Sequence, residues 1–409
     1  MAGDSSQRGE VVVEMDPLLN TMEQKLRILE SKSFEREESC TIYRVLPSIH
    51  GDDGAAYDPK IISICPYHWN NNQLSSTEEI KWQFLLSLIN QNKENKLSKW
   101  LRLIRAQEPR ARKLYSEKLE LEHDAFVEML VLDGCFIIEL LVKLTLPTKN
   151  EQIFDENWKL PLIRSDILML ENQIPFFILQ ALFDSTVIPE FVFEDKNEAP
   201  VTLVELALSY VTHGRMEVLP QSAKNVDILH LLHLFHMSLA PNPVQKESKP
   251  FSWIRLLLPS VHYHKNKRAP RTIPSVTELQ EAGIMFKKRE AKCYLDVKFG
   301  EGAMEIPQLS IQATTISEFR NLIAFEQCCP GSGSHFTSYA AFMDNLINTQ
   351  MDVAVLQDCG IIESKLGSYK DVAFFFNQLC KGGYLDYEKH YLAKVFKDVR
   401  EYCESERHR

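Results

Sequence analysis

No Cys-x-x-Cys pair occurs in these 409 residues, and no window approaches the run of about 18 apolar residues that a membrane-spanning helix needs. The nine cysteines are odd in number and scattered, with only Cys328 and Cys329 adjacent, so neither a disulfide framework nor a zinc site has its spacing. Reduced, mostly buried thiols in a reducing compartment are the expectation, which places the chain inside the cell, in the cytoplasm. The start, Met-Ala-Gly-Asp-Ser-Ser, lacks the apolar stretch of a signal peptide. The most apolar segments, 129–144 and 167–183, are interrupted by Asp133 and Glu139 and by Glu171, Asn172 and Gln173. The sequence as it stands is therefore expected not to span a membrane. There is no Gly-x-x-x-x-Gly-Lys loop, no dinucleotide fingerprint after a strand, no Gly-x-Ser-x-Gly elbow and no internal repeat. Nucleotide binding and serine-elbow hydrolysis lose their usual signatures, and no cofactor is expected.

What is present fits a globular chain with a sizeable core: 44% hydrophobic and 25% charged residues. The formal net charge of -10 argues against a surface built to meet nucleic acid. Residues 1–38 read as a polar tail with one amphipathic segment, in which Leu18, Leu19, Met22, Leu26 and Leu29 recur at helical spacing. Residues 39–409 read as one helical domain. It can divide into two packed lobes at 241–274, a Pro- and Lys-rich stretch expected to form a loop with 253–258 as an anchored apolar piece.

Within that domain, 42–68 is rich in Pro and Gly and should form a loop-rich entry, with 61–64 as one short strand. Helical periodicity dominates 77–146, and further helices are expected over 166–183, 203–212 and 226–239. Pro175 falls inside the 166–183 pattern and should kink or break it. Ser275-Val276-Thr277-Glu278 is a capping box, with Leu279, Ala282, Gly283 and Phe286 facing inward behind it. The alternation of Cys293, Leu295, Val297 and Phe299 with Tyr294, Asp296 and Lys298 marks a half-buried strand. A turn at Gly300-Glu301-Gly302 returns it over 304–311, where Pro307 calls for an edge position. A second capped helix opens at Thr315-Ile316-Ser317-Glu318, and others are expected near 339–348, 352–358, 368–381 and 387 onward. The fold class that follows is mainly α, a compact helical domain with a small antiparallel β-hairpin.

Several stretches, in order, carry a family resemblance. They are Ile42-Tyr43-Arg44-Val45-Leu46-Pro47, Tyr57-Asp58-Pro59, Ile64-Cys65-Pro66-Tyr67-His68, Glu79-Ile80-Lys81-Trp82, and Asp133-Gly134-Cys135-Phe136-Ile137-Ile138-Glu139-Leu140. The longest runs from Asp166 through Glu171-Asn172-Gln173-Ile174-Pro175 to Phe177. Later ones are Glu278-Leu279-Gln280-Glu281-Ala282-Gly283-Ile284 and Phe319-Arg320-Asn321-Leu322-Ile323-Ala324-Phe325-Glu326-Gln327. Together they resemble the plant "domain of unknown function 247" family, also called uncharacterised protein family 0481, from Ile42 to the end. Cys65 stands where that family usually has Gly, and Leu46 is an extra residue. The resemblance implies a plant source. By analogy with grass members tied to pollen–stigma self-incompatibility, it also implies a recognition role with a protein partner. It further implies an apolar C-terminal segment like a single membrane anchor, which the sequence through Tyr402-Cys403-Glu404 to Arg409 does not contain.

The family-like motif residues without an assigned role are Asp133, Gly134, Glu139, Asp166, Glu171, Asn172, Gln173, Pro175, Arg320, Asn321 and Glu326. Carboxylates in apolar helices are costly unless paired or hydrogen-bonded. Two readings follow. In one they brace the backbone freed at Pro175, with Arg320 or Arg164 as ion partner, and the protein is a non-enzymatic interaction or recognition protein. In the other they gather on a metal, as in a metal-dependent hydrolase. His230, His233 and His236 turn progressively around a helix, so one adjacent pair rather than all three could meet an ion. His68 after Cys65 offers a base beside a thiol. Lys265, Lys267, Arg268 and Arg271, near Trp253 and Tyr263 and followed by Lys287, Lys288 and Arg289, form a basic cluster. Such a cluster suits a solvated loop or an anionic membrane surface, with nucleic acid the weaker fit.

Overall fold

A computed structural model describes residues 17–34, 40–45, 47–50, 54–69, 72–91, 93–145, 158–189, 201–215, 219, 226–240, 270–291, 293–329, 331–379 and 383–406. The chain separates into two units, Met1–Cys40 and Thr41–Arg409. The first contains the helix α1 (Pro17–Phe34), which carries the leucine and methionine stripe at its expected spacing.

The second unit opens with the four-residue helix α2 (Pro47–His50) and an irregular entry. Residues 61–64, expected as a short strand, form none and pair with no strand among the described residues; side chains meet their amides instead. The helical periodicity that follows resolves into α3 (Ser75–Gln91), α4 (Leu97–Lys113) and α5 (His123–Thr145). An amphipathic helix buries one stripe, whereas α5 is apolar nearly all round and is buried from Phe126 to Val142, except Glu128. α3 and α4 pack against it.

The single helix expected over 166–183 is two helices separated by a bend. α6 (Lys159–Ile167) stops at Ile167, and α7 (Phe176–Ser185) starts directly after Pro175. Proline has no N–H to continue a helix and disfavours helical geometry in the residue before it. The break reaches back to Leu168 because Asn172 and Gln173 take the carbonyls of Asp166 and Ile167 with their side chains. α8 (Leu203–Val211) is capped reciprocally by Thr202 and Glu205, and α9 (Leu231–Leu239) starts at His230. α7 and α8 complete the shell around α5.

Beyond residue 269 the capping box at Ser275 and Glu278 forms as expected and opens α10 (Val276–Glu281). That helix ends before Phe286, because Gly283 adopts a positive φ of 82° and turns the chain into strand β1 (Met285–Arg289). The hairpin is β2 (Lys298–Gly300) with β3 (Ala303–Pro307), turning through Glu301 and Gly302, both at positive φ. β1 adds in parallel on the other side of β3, so β3 is the central strand and not an edge. Pro307 is tolerated because it is the last residue of the ladder. β4 (Leu309–Ile311) then pairs in parallel with β5 (Ile362–Ser364).

α11 (Ala313–Cys328) begins two residues earlier than its expected cap. Thr315 lies within the first turn, its hydroxyl accepting the Gln312 N–H, and Glu318 pairs with Arg164 instead of capping. α12 (His335–Leu346), α13 (Gln350–Asp358), α14 (Tyr369–Leu379) and α15 (Ala393–Glu406) complete the chain. The fold is thus mainly α, and among the described residues short strands occur only in the C-terminal third. Residues 241–269, where the loop or lobe boundary and the anchored piece 253–258 were expected, lie outside the described residues. Among those described, no helix is long and apolar enough to cross a membrane.

Candidate functional site

The motif residues cluster first at the bend between α6 and α7. A bend in a protein core strands backbone amides and carbonyls away from water, and each one left unpaired costs about 1–3 kcal/mol. Here side chains meet them. Asp166, fully buried, accepts the amides of Lys60, Ile61 and Ile62 at 2.6–3.0 Å. Asn172 accepts the Ile64 amide at 2.7 Å and donates to the carbonyls of Ile62 and Asp166. This part of the entry segment is thus held by two side chains in place of a neighbouring strand. Gln173 donates to the carbonyls of Ile167 and Met169, while its oxygen accepts the Leu232 amide in the first turn of α9. Asn321, on α11, accepts the Leu170 amide and donates to Ala56 and Ser317. Burial pushes the Asp166 carboxyl up to about 6, while the three amides pull the other way, so it is ionised at neutral pH.

Glu171 alone among these faces outward. One oxygen accepts the Val45 amide at 2.8 Å, and the other meets Arg44 Nη1 at 2.9 Å. The ion partner is therefore Arg44, not Arg164 or Arg320; the bend carries Glu171 toward the entry segment and away from α11. The Arg44 guanidinium also reaches Glu117 at 3.3 Å and the Tyr67 carbonyl at 3.1 Å, and lies over the Tyr67 ring. These groups border an open cleft of about 780 Å³, with Asp58 and Ser116 on its rim. His68 lies beside it, Nε2 3.9 Å from Glu171 and without a hydrogen bond. Burial and the nearby Arg44 push its pKa down to about 4, so the ring is neutral. Cys65 is fully buried and its thiol is pushed up to about 12 by that burial. A buried, protonated thiol is no nucleophile, so the pairing of His68 with Cys65 as base and nucleophile does not form.

The remaining motif carboxylates lie elsewhere. Asp133 on α5 meets Lys81 Nζ at 2.7 Å, both groups buried, and Lys81 also reaches Glu78. Burial raises the Asp133 carboxyl to about 6 against the pull of Lys81. Glu139 accepts from Ser87 and Gln91, with Lys143 at 3.4 Å. Between them on α5, Gly134 lets α7 approach: a Cβ there would sit 2.4 Å from Leu182 Cδ1. Arg320 borders a separate pocket beside Lys60 and Phe374.

Glu326 is fully engaged at the junction of α11 and α12. Its carboxylate accepts the amides of Phe336 and Thr337, the Thr337 hydroxyl, and His236 Nε2 at 2.9 Å. The three histidines of the α9 segment do not share a ligand point. His230 accepts the His233 amide and its Nε2 faces the Thr41 carbonyl, while His233 Nδ1 accepts the Leu229 amide. Only His236 reaches a possible ligand group. Together with Glu326 and His335, it forms the sole set of three ligand-type side chains that converge among the described residues. Of the basic cluster, Lys265, Lys267 and Arg268 lie outside the described residues. Arg271 stacks over the Tyr387 ring.

Three of these partners escaped sequence reasoning. Arg44 and Lys81 stand in motif segments, but their charge partners lie 127 and 52 residues away. His335 follows Gly331-Ser332-Gly333-Ser334, a break with no periodicity to flag it.

A mainly helical body braced by a buried polar bend, with a charged cleft opening beside it, is the class of structure these residues define. The chain belongs to the DUF247 family, described as plant protein of unknown function, whose family model matches residues 42–409. It is 33% identical to the UPF0481 protein At3g47200 of Arabidopsis thaliana over 382 residues, which cover 90% of this chain and 78% of that protein. It is 22% identical to the putative UPF0481 protein At3g02645 of the same plant, over 90% of this chain and 82% of that protein. No solved structure matches.

Proposed function

We propose that this chain is a non-enzymatic interaction protein whose contact site is the cleft at Arg44 and Glu171, and that it takes a basic segment of a partner protein. What supports a non-catalytic reading is the fate of the motif carboxylates. Asp133, Glu139, Asp166, Glu171 and Glu326 are each held by protein donors, in separate places. A general acid or base needs a free lone pair or proton within reach of substrate. Asp166, Glu171 and Glu326 have spent theirs on backbone amides, and Asp133 is shut in the core against Lys81. The metal-dependent hydrolase reading needs several of them at one point, and no three of these five converge among the described residues.

The cleft itself argues for the sign of the partner. Asp58, Glu117 and Glu171 border it, against the single permanent cation Arg44 and a neutral His68. Two uncompensated negative charges favour lysine or arginine, in line with the net charge of -10. A fluorescein-labelled peptide library graded from acidic to basic tests this by anisotropy at two salt concentrations. Binding should rise with peptide charge, weaken with salt, and fall about tenfold in Glu117→Lys, because one ion pair across an interface carries on the order of 1.4 kcal/mol. Binding indifferent to peptide charge or to that substitution would sink the assignment. Turnover of an ester or phosphoester panel that disappears in Glu171→Gln would overturn the non-enzymatic reading instead.

A further inference from the structure

Independently of that cleft, we infer that His236, Glu326 and His335 form a binding site for a divalent transition ion of the zinc class. The three side chains come from separate elements: α9, the end of α11 and the first residue of α12. Each offers a ligand atom within 4.8 Å of the other two. Two imidazoles and one carboxylate are the donor set that borderline ions such as zinc take, whereas calcium and magnesium select all-oxygen surroundings.

Two observations separate this cluster from an ordinary buried ion pair. His335 Nδ1 is shielded from solvent and has no hydrogen-bond partner, although Glu326 beside it is held by four donors. An unused buried imidazole nitrogen beside a carboxylate is a ligand atom waiting for an acceptor of its lone pair. Moreover, the space for that ring depends on Gly333, at a φ of 90°. A Cβ there would lie 2.9 Å from His335 Cε1 and 3.1 Å from Nδ1. The ring occupies a gap that a side chain at 333 would close.

The carboxylate is already aimed. Phe336 and Thr337 hold Glu326 through their amides, and Thr337 through its hydroxyl, which are the supporting bonds that orient a metal ligand. In the metal-free protein the Nε2 proton of His236 lies against Glu326 Oε1 at 2.9 Å. The ion takes the place of that proton: the ring passes to its Nδ1–H tautomer, and Nε2 and Oε1 become neighbouring ligands. Bonds of about 2.0–2.1 Å put tetrahedral ligands roughly 3.3 Å apart, so the His236 and Glu326 atoms need little change. A swing of His335 by about 1 Å closes the set. Three protein ligands leave a fourth position for water, and the ion ties α9 to the junction of α11 and α12.

Cobalt(II) titration of the EDTA-dialysed full chain tests the site. One equivalent should produce visible ligand-field bands of a tetrahedral or five-coordinate centre, zinc should bleach them, and magnesium should leave them unchanged. His335→Ala should weaken cobalt binding at least about tenfold. It should lower the melting temperature of the metal-free protein by about 2 °C or less, since the ring gives up its packing beside Tyr391 but no hydrogen bond. Zinc should raise the melting temperature of the wild type and not that of His335→Ala. Absence of bands and of stoichiometric metal in the wild type would overturn the site. Unchanged cobalt binding in His335→Ala would do the same, and would place the ion elsewhere.

Discussion

The bend at 168–175 and the junction at 329–335 are both breaks between helices in the core, and they handle buried polarity differently. At the bend, Asp166, Asn172 and Gln173 match their donors and acceptors to backbone groups of the entry segment, of α6 and of α9. At the junction, Glu326 is equally well matched, but the neighbouring His335 keeps an unused nitrogen. What sets the junction apart is that the unused nitrogen stands in a cluster of three ligand-type side chains, which the bend does not offer.

Substitutions that break the contrast should differ in size. Asn172→Ala removes one acceptor and two donated bonds from a fully buried site, and should cost about 3–4 kcal/mol, read as a lower midpoint in urea unfolding. Glu326→Gln keeps the shape but points an amide NH₂ at one of the donors of α12. About 2 kcal/mol is expected in the same measurement, with the loss confined to the C-terminal half by hydrogen exchange.

Acid should probe the bend through His230, which stands at the start of α9 beside the Gln173 contact. Burial, helped by His233, pushes its pKa from 6.5 down to about 3. The unfolded chain takes up a proton below about 6.5 and the folded chain does not. The stability His230 contributes is therefore complete above that pH and lost as pH falls toward 3, at about 1.4 kcal/mol per unit. The difference between the wild type and His230→Asn across pH 7 to 4 isolates this slope; parallel curves would refute it. The smallest effect belongs to the junction. His335→Ala gives up the ring's packing beside Tyr391 but no hydrogen bond, and should cost the metal-free protein about 1 kcal/mol; a loss above about 3 kcal/mol would mean that its ring is a brace after all.

How far these two breaks were legible from the sequence differs as well. The helices and the box at Ser275 were readable because caps and periodicity act within a turn or two of the residues that show them. Pro175 announced a break, and the polar trio before it announced a use for polar groups. Their partners were not readable, because Lys60 to Ile64 and Leu232 reach the bend only through the tertiary fold. β1 and β5 were missed for a related reason: each pairs in parallel with a strand farther along or back in the chain, and five or three residues carry too little pattern. His335 gave no local signal at all. Its interest arises from what surrounds it.

The fastening of residues 60–64 by Asp166 and Asn172 also bears on the order of folding. Those contacts span more than a hundred residues, so the loop they close contains α3, α4 and α5. Closing so long a loop is entropically slow, and the entry strap should latch onto a body already assembled. By the same logic it is the first part to let go, and exchange of the Ile62 and Ile64 amides should report an opening that leaves α5 protected.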